Sequence, residues 1–169
     1  MSTKILEEHF SLINISRIYN ERIEKKAGKG IDGVNTSKFD IEKIDVIERI
    51  RKKVLSGKYR FTPYLEMSKS KGRGKPPRII SKPTIRDKLT LSITKDILHE
   101  IFPGSVDRRL PNTFIREINE ILSKEGIKGK SFLKIDIKSF YSSIERSILF
   151  ENISTSDFNS RVSKDLIKR

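Results

Sequence analysis

Apolar residues recur at three- and four-residue steps along 5–26, where Ile5, Leu12, Ile15, Ile18, Tyr19 and Ile23 fall on one side of a helix. The spacing predicts one helix, ended by KKAGKGIDG, in which Gly28, Gly30 and Gly33 break any regular element. A second helix is expected after Asp40, its N-cap, with Ile41, Ile44, Ile47, Ile50, Val54 and Leu55 on one face. Gly57 stands where a C-terminal glycine belongs. The pattern then changes. FTPYLEMSK (61–69) and PRIISKP (77–83) predict two short strands, joined by the glycine- and lysine-rich tip SKGRGKP.

A third helix is expected from near Thr84 to about Phe102, with Leu89, Ile93, Ile97, Leu98 and Ile101 on its apolar side and Pro103-Gly104 as its stop. A fourth covers 113–124, followed by the turn GIKGK and a strand, SFLKID. SFYSSIERSILFENI reads as helical, and the tail SDFNSRVSKDLIKR is polar and weakly patterned. Helices mixed with a hairpin and one further strand give an α+β fold class. Internal repeats and low-complexity tracts are absent from the sequence.

Composition narrows the function. Hydrophobic and charged residues are nearly balanced, 35% against 34%, as in a globular domain with a real core. No apolar run approaches the roughly 20 residues of a membrane span, so no membrane partner is expected. The chain has no cysteine, which excludes disulfides and thiolate metal sites and makes a cytoplasmic setting the expectation. Lys plus Arg total 36 against 22 acidic residues, a formal net charge of +14. An excess of that size points to a polyanionic partner, most often nucleic acid.

The charge is concentrated. Between Ser68 and Lys88 there are eight Lys or Arg and one Asp. Lys71, Arg73 and Lys75 sit in the flexible tip, where they can follow a phosphate backbone, and Lys82 and Arg86 extend the basic run. Arg78 differs, because a guanidinium on a strand just after two prolines is held stiffly enough to clamp phosphate oxygens bidentately. A second focus is Asp136, at the end of an apolar run and five residues before Tyr141. A carboxylate there either caps the next helical turn or supplies oxygens to Mg²⁺, a hard cation that prefers carboxylate and phosphate.

Four blocks in order carry a resemblance: KGIDGV (29–34), SGKYRFTPYLEMSK, GKPPRIISKPTIRDK and FLKIDIKSFYSSI. Together they resemble the N-terminal part of a bacterial reverse transcriptase, of the group that includes group II intron, retron and phage-defence enzymes. The resemblance implies right-hand polymerase fingers with the start of the palm. It divides the chain into an N-terminal helical region of the fingers (1–58), the fingers proper (59–130) and the beginning of the palm (131–169). Asp136 would be the first catalytic, metal-binding carboxylate, with the backbone carbonyl of Ile137 beside it and two Mg²⁺ ions in the complete enzyme. Arg78 would contact the triphosphate of a deoxynucleotide, as would Lys69 or a neighbouring lysine of the tip. Tyr141 would be the steric gate against a 2′-hydroxyl, leaving Phe140 to packing.

An RNA template, its DNA product and a noncoding RNA are the implied partners. DRRLPNTFIREINEIL stands where intron proteins carry a glycine- and arginine-rich block, which favours a phage-defence branch over splicing. The later palm motifs, Tyr-x-Asp-Asp among them, are not in the sequence, and Asp157 and Asp165 lack the context of a second metal ligand. The expectation is therefore a polymerase fragment that does not polymerise alone, completed by the remaining palm and thumb. The alternative is a non-catalytic nucleic-acid-binding module derived from such an enzyme.

Overall fold

The computed structural model describes residues 2–25, 28–74, 76–104, 110–126, 128–129, 131, 133, 135–137 and 140–155. The first apolar pattern folds as two helices rather than one: α1 (Ser2–His9) and α2 (Leu12–Ile18), continued by a π-helical turn, Tyr19–Ile23. Ser11 makes the break. Its backbone is extended, and its Oγ accepts from the Asn14 amide at 3.4 Å, serving one of the orphan donors of the first turn of α2. Phe10 and Ile15, on either side of that corner, are both fully buried.

Asp40 is not the cap of the next helix. Asn35 caps α3 (Thr36–Ile41), accepting from the Lys38 amide at 2.9 Å, and α4 (Lys43–Leu55) begins after a break at Glu42. Asp40 instead accepts the Tyr19 hydroxyl at 2.7 Å. Burial and that carboxylate push the Tyr19 pKa up, so the phenol remains a donor. The break at Glu42 also splits the expected apolar face: Ile41 and Ile44 are 84% and 75% exposed, while Ile47, Ile50 and Val54 are buried. Gly57 ends α4 with φ 66°, the left-handed conformation that glycine adopts without strain.

The hairpin forms where the sequence predicts it, in shorter strands: β1 (Leu65–Lys69) pairs antiparallel with β2 (Arg78–Lys82). Thr84 then caps α5 (Ile85–Ile101), its hydroxyl accepting from the Asp87 amide at 3.2 Å. Leu89, Ile93 and Ile97 are buried on the expected face, with Leu98 and Ile101 packed against the same core. That core runs from Leu6 to Ile97, where α2 packs against α4 and α5, and α1 against α4 and α5. Residues on both sides of position 58 feed it. A hydrogen bond and an ion pair tie distant segments across it: His9 Nε2 with Glu100 at 2.7 Å, and Arg22 to both oxygens of Asp96 at 2.8 and 2.9 Å.

Downstream, α6 (Pro111–Glu125) contains no buried residue, and α7 (Arg146–Thr155) meets the core through Ile153. The strand expected over 131–136 is not formed at its described residues. Ser131, Leu133, Ile135 and Asp136 belong to no strand, and Leu133 and Ile135 are 83% and 77% exposed. A strand exists through its ladder, and the sheet among the described residues contains β1 and β2 alone. The architecture is α+β, mostly helical with a small antiparallel sheet, and no described helix is long and apolar enough to cross a membrane.

Candidate nucleic-acid interface

An isolated two-stranded hairpin is at best marginally stable in water, so the roots of this one must be fixed by something else. Asp87, in the first turn of α5, does so. Its carboxylate is 1% exposed and accepts from the Tyr59 hydroxyl at 2.8 Å, from the Thr62 amide at 3.0 Å and from the Thr62 hydroxyl. Tyr59 and Thr62 lead into β1, and Thr84 and Asp87 follow β2, so one buried carboxylate joins both ends of the hairpin. Burial alone would raise the Asp87 pKa. The donors outweigh it, those of Thr62 most and then Tyr59 and Thr84, and hold the carboxyl below its ordinary value. Tyr59 is pushed up, chiefly by its own burial, and stays a donor.

The glycine loop closes on the same place. A side chain on Gly30 would come within 2.6 Å of the Thr84 Cα and 2.8 Å of its nitrogen, so only glycine allows this approach. Asp32 accepts from the Val34 amide at 3.1 Å, shaping the turn, and Gly33 completes it at φ 68°. Two blocks some fifty residues apart in sequence thus meet at the base of β2.

From that base the strands project with a definite sidedness. Lys69 stands directly opposite Arg78, Met67 opposite Ile80, and Leu65 opposite Lys82. Since side chains alternate across a strand, these six share one face, and Glu66, Ser68, Ile79 and Ser81 share the other. Every basic residue of the two strands is therefore on one face, arranged around Met67 and Ile80. Like charges directly opposite each other destabilise a hairpin, so the Lys69–Arg78 pair is unfavourable until an anion lies across it. Both residues are exposed. At the tip, Ser70 accepts from the Gly72 amide at 3.2 Å, Gly72 and Gly74 take positive φ, and Lys71 and Arg73 are exposed.

The expected residues thus divide into separate groups. Lys69, Arg78 and Lys82 share a surface, with Lys71 and Arg73 at its open end; Lys75 lies outside the described residues. Arg86 belongs to the root instead: its guanidinium stands 5.8 Å from the Tyr59 ring centroid, and its Nε is 3.7 Å from the Asp87 carboxylate. Asp136 and Ile137 are exposed and belong to no helix or strand. Phe140 is not in the core; half exposed, it stands edge-on to Tyr141 with ring centroids 5.2 Å apart, and Tyr141 is 88% exposed.

No known family model matches the chain, and no curated protein does.

Among the described residues, no group of three or more histidines and carboxylates could hold a metal ion. Asp136 by itself does not make a Mg²⁺ site, and Asp157 and Asp165 lie outside the described residues. The residue that sequence reasoning missed is Asp87. Its signal was present in Thr84-x-x-Asp87, the spacing of a cap followed by an acidic third position, but its partners Tyr59 and Thr62 are 28 and 25 positions away.

Proposed function

We propose that the chain forms the fingers and the opening of the palm of an RNA-directed DNA polymerase. The observation that carries this reading is the basic face of the hairpin, with Lys69 opposite Arg78, a pairing that an anion between them would relieve. In this reading Arg78 and Lys69 hold the triphosphate of a deoxynucleotide, and Lys71, Arg73 and Lys82 hold the RNA template or the DNA product. The contact of Gly30 with the Pro83-Thr84 step supports it too, because it joins two of the blocks in which the resemblance resides. Tyr141 selects against the 2′-hydroxyl. Asp136 and the Ile137 carbonyl hold Mg²⁺ only with carboxylates from outside the described residues. The divergent block at 107–122 favours a role in phage defence, with a noncoding RNA as partner.

Primer extension on an RNA template, by the polymerase that contains these residues, is the test. Asp136→Ala should abolish deoxynucleotide incorporation while template binding persists, and Tyr141→Val should admit ribonucleotides. Extension undiminished by Asp136→Ala would overturn the reading. One observation favours a binding module without catalysis: the basic face is complete among the described residues, whereas Asp136 has no carboxylate cluster around it. For that second reading, Asp136→Ala changes nothing and the hairpin variants abolish binding.

A further inference from the structure

A cavity of about 530 Å³ opens between α3, α4 and the start of α5, and no residue of the hairpin lines it. Its accessible apolar lining is Val34, Ile41 and Val46, backed by the buried side chains of Phe39, Ile50, Tyr59 and Ile85. Four cations and two carboxylates line it, a formal excess of +2. The carboxylates are already engaged: Glu42 pairs with Arg49 at 3.3 Å, and Asp32 takes the Val34 amide. Lys38 and Lys53 have no acidic partner among the described residues. Arg86 is oriented twice over, by the Tyr59 ring and by Asp87, and its terminal amino groups make no hydrogen bond with a described residue.

An apolar lining beside an oriented guanidinium and two ammonium groups without an acidic partner among the described residues suits a ligand with a flat body and a multiply charged end. The volume falls within the roughly 300–1,000 Å³ of small-molecule sites. A phosphate has enough oxygens to accept from several of these cations, whereas a single carboxylate has fewer to offer. We propose that this pocket binds a nucleoside 5′-phosphate, with the base against Val34, Ile41 and Val46 and the phosphate among Lys38, Lys53 and Arg86. The ligand is either a free mononucleotide or the 5′-phosphorylated end of a strand. The proposal does not rest on the polymerase reading, since it uses none of the hairpin, Asp136 or Tyr141.

The test is amide-resolved NMR titration of the whole chain with AMP, adenosine, and one short oligonucleotide bearing either a 5′-phosphate or a 5′-hydroxyl. AMP or the 5′-phosphorylated strand should shift the amides of Lys53, Tyr59 and Arg86. The counterpart without the phosphate should bind there at least about tenfold more weakly, as expected for the loss of charge-assisted hydrogen bonds. Response to AMP assigns the free nucleotide, and response to the phosphorylated strand alone assigns the strand end. Lys53→Glu, on the exposed rim, should weaken the response by about tenfold in a protein whose spectrum stays folded, and Arg86→Gln should do the same. Arg116→Ala, on α6 and outside both the pocket and the hairpin, should leave it unchanged. Equal binding with and without the phosphate, shifts confined to the hairpin, or indifference to Lys53→Glu would overturn the proposal.

Discussion

Helices α5 and α6 both carry apolar stripes, and only α5 buries its stripe. In α5 the stripe of Leu89, Ile93 and Ile97 meets α1, α2 and α4. In α6 a stripe just as regular, Ile115, Ile118 and Ile121, remains exposed. Amphipathicity specifies a face, not what will cover it. In the region from α1 to α5 long-range bonding fixes which elements meet: Tyr19 to Asp40, Arg22 to Asp96, His9 to Glu100, and above all Asp87 to Tyr59 and Thr62.

The sharpest way to break the contrast is to remove the Asp87 carboxylate. Asp87→Ala leaves the Tyr59 hydroxyl and the Thr62 amide without their acceptor in the interior, and should lower stability by about 3–5 kcal/mol. Denaturant unfolding would measure it, and a loss below 1 kcal/mol, on the order of one exposed hydrogen bond, would mean the clamp is not structural. Ile93→Ala, in the fully buried stripe of α5, should remove about 2–5 kcal/mol through lost burial and the cavity left behind. Gly30→Ala should follow at about 1–3 kcal/mol, because the new Cβ meets Thr84 backbone that cannot swing aside. At the far end of the scale, Ile115→Ala in α6 should change global stability by no more than about 0.5 kcal/mol. An effect as large as that of Ile93→Ala would erase the distinction between the regions.

The contrast should also depend on pH. Asp87 has a folded pKa below its ordinary value, so its contribution is complete above the usual 3.8 and is lost as pH falls through the folded value. The helical body should therefore lose stability in acid below about pH 4. Unfolding curves of Asp87→Asn, which has no carboxylate to protonate, should show a smaller loss over that window. Equal acid sensitivity in the two proteins would remove Asp87 as its source.

Much of the body was legible because its determinants are local. Thr84 capping α5, Gly57 closing α4 and the two strands around a glycine-rich tip are each set by neighbouring residues. The first pattern reads as one helix because Ile5, Leu12 and Ile15 keep the apolar rhythm across the corner, and the single polar cap at Ser11 does not interrupt it. Asp40 lies just before the apolar run of α4 and has the chemistry of a cap, yet Tyr19 claims it from 21 positions away. No local pattern encodes that pairing. The apolar run ending at Asp136 has strand composition, but composition does not supply the neighbouring strand on which a ladder depends.

The basic face of the hairpin is the centre of the functional account, and the salt dependence of its affinity tests it most directly. Binding of an RNA–DNA hybrid would be followed across a range of salt concentrations, for the natural chain and for a variant carrying Lys71→Ala, Arg73→Ala and Lys82→Ala. Each lost phosphate contact should flatten the slope of log affinity against log salt by about 0.7–0.9, so three lost contacts should flatten it by roughly 2–3. Identical slopes in the two proteins would mean that this face touches no phosphate, and the account of the hairpin would be contradicted.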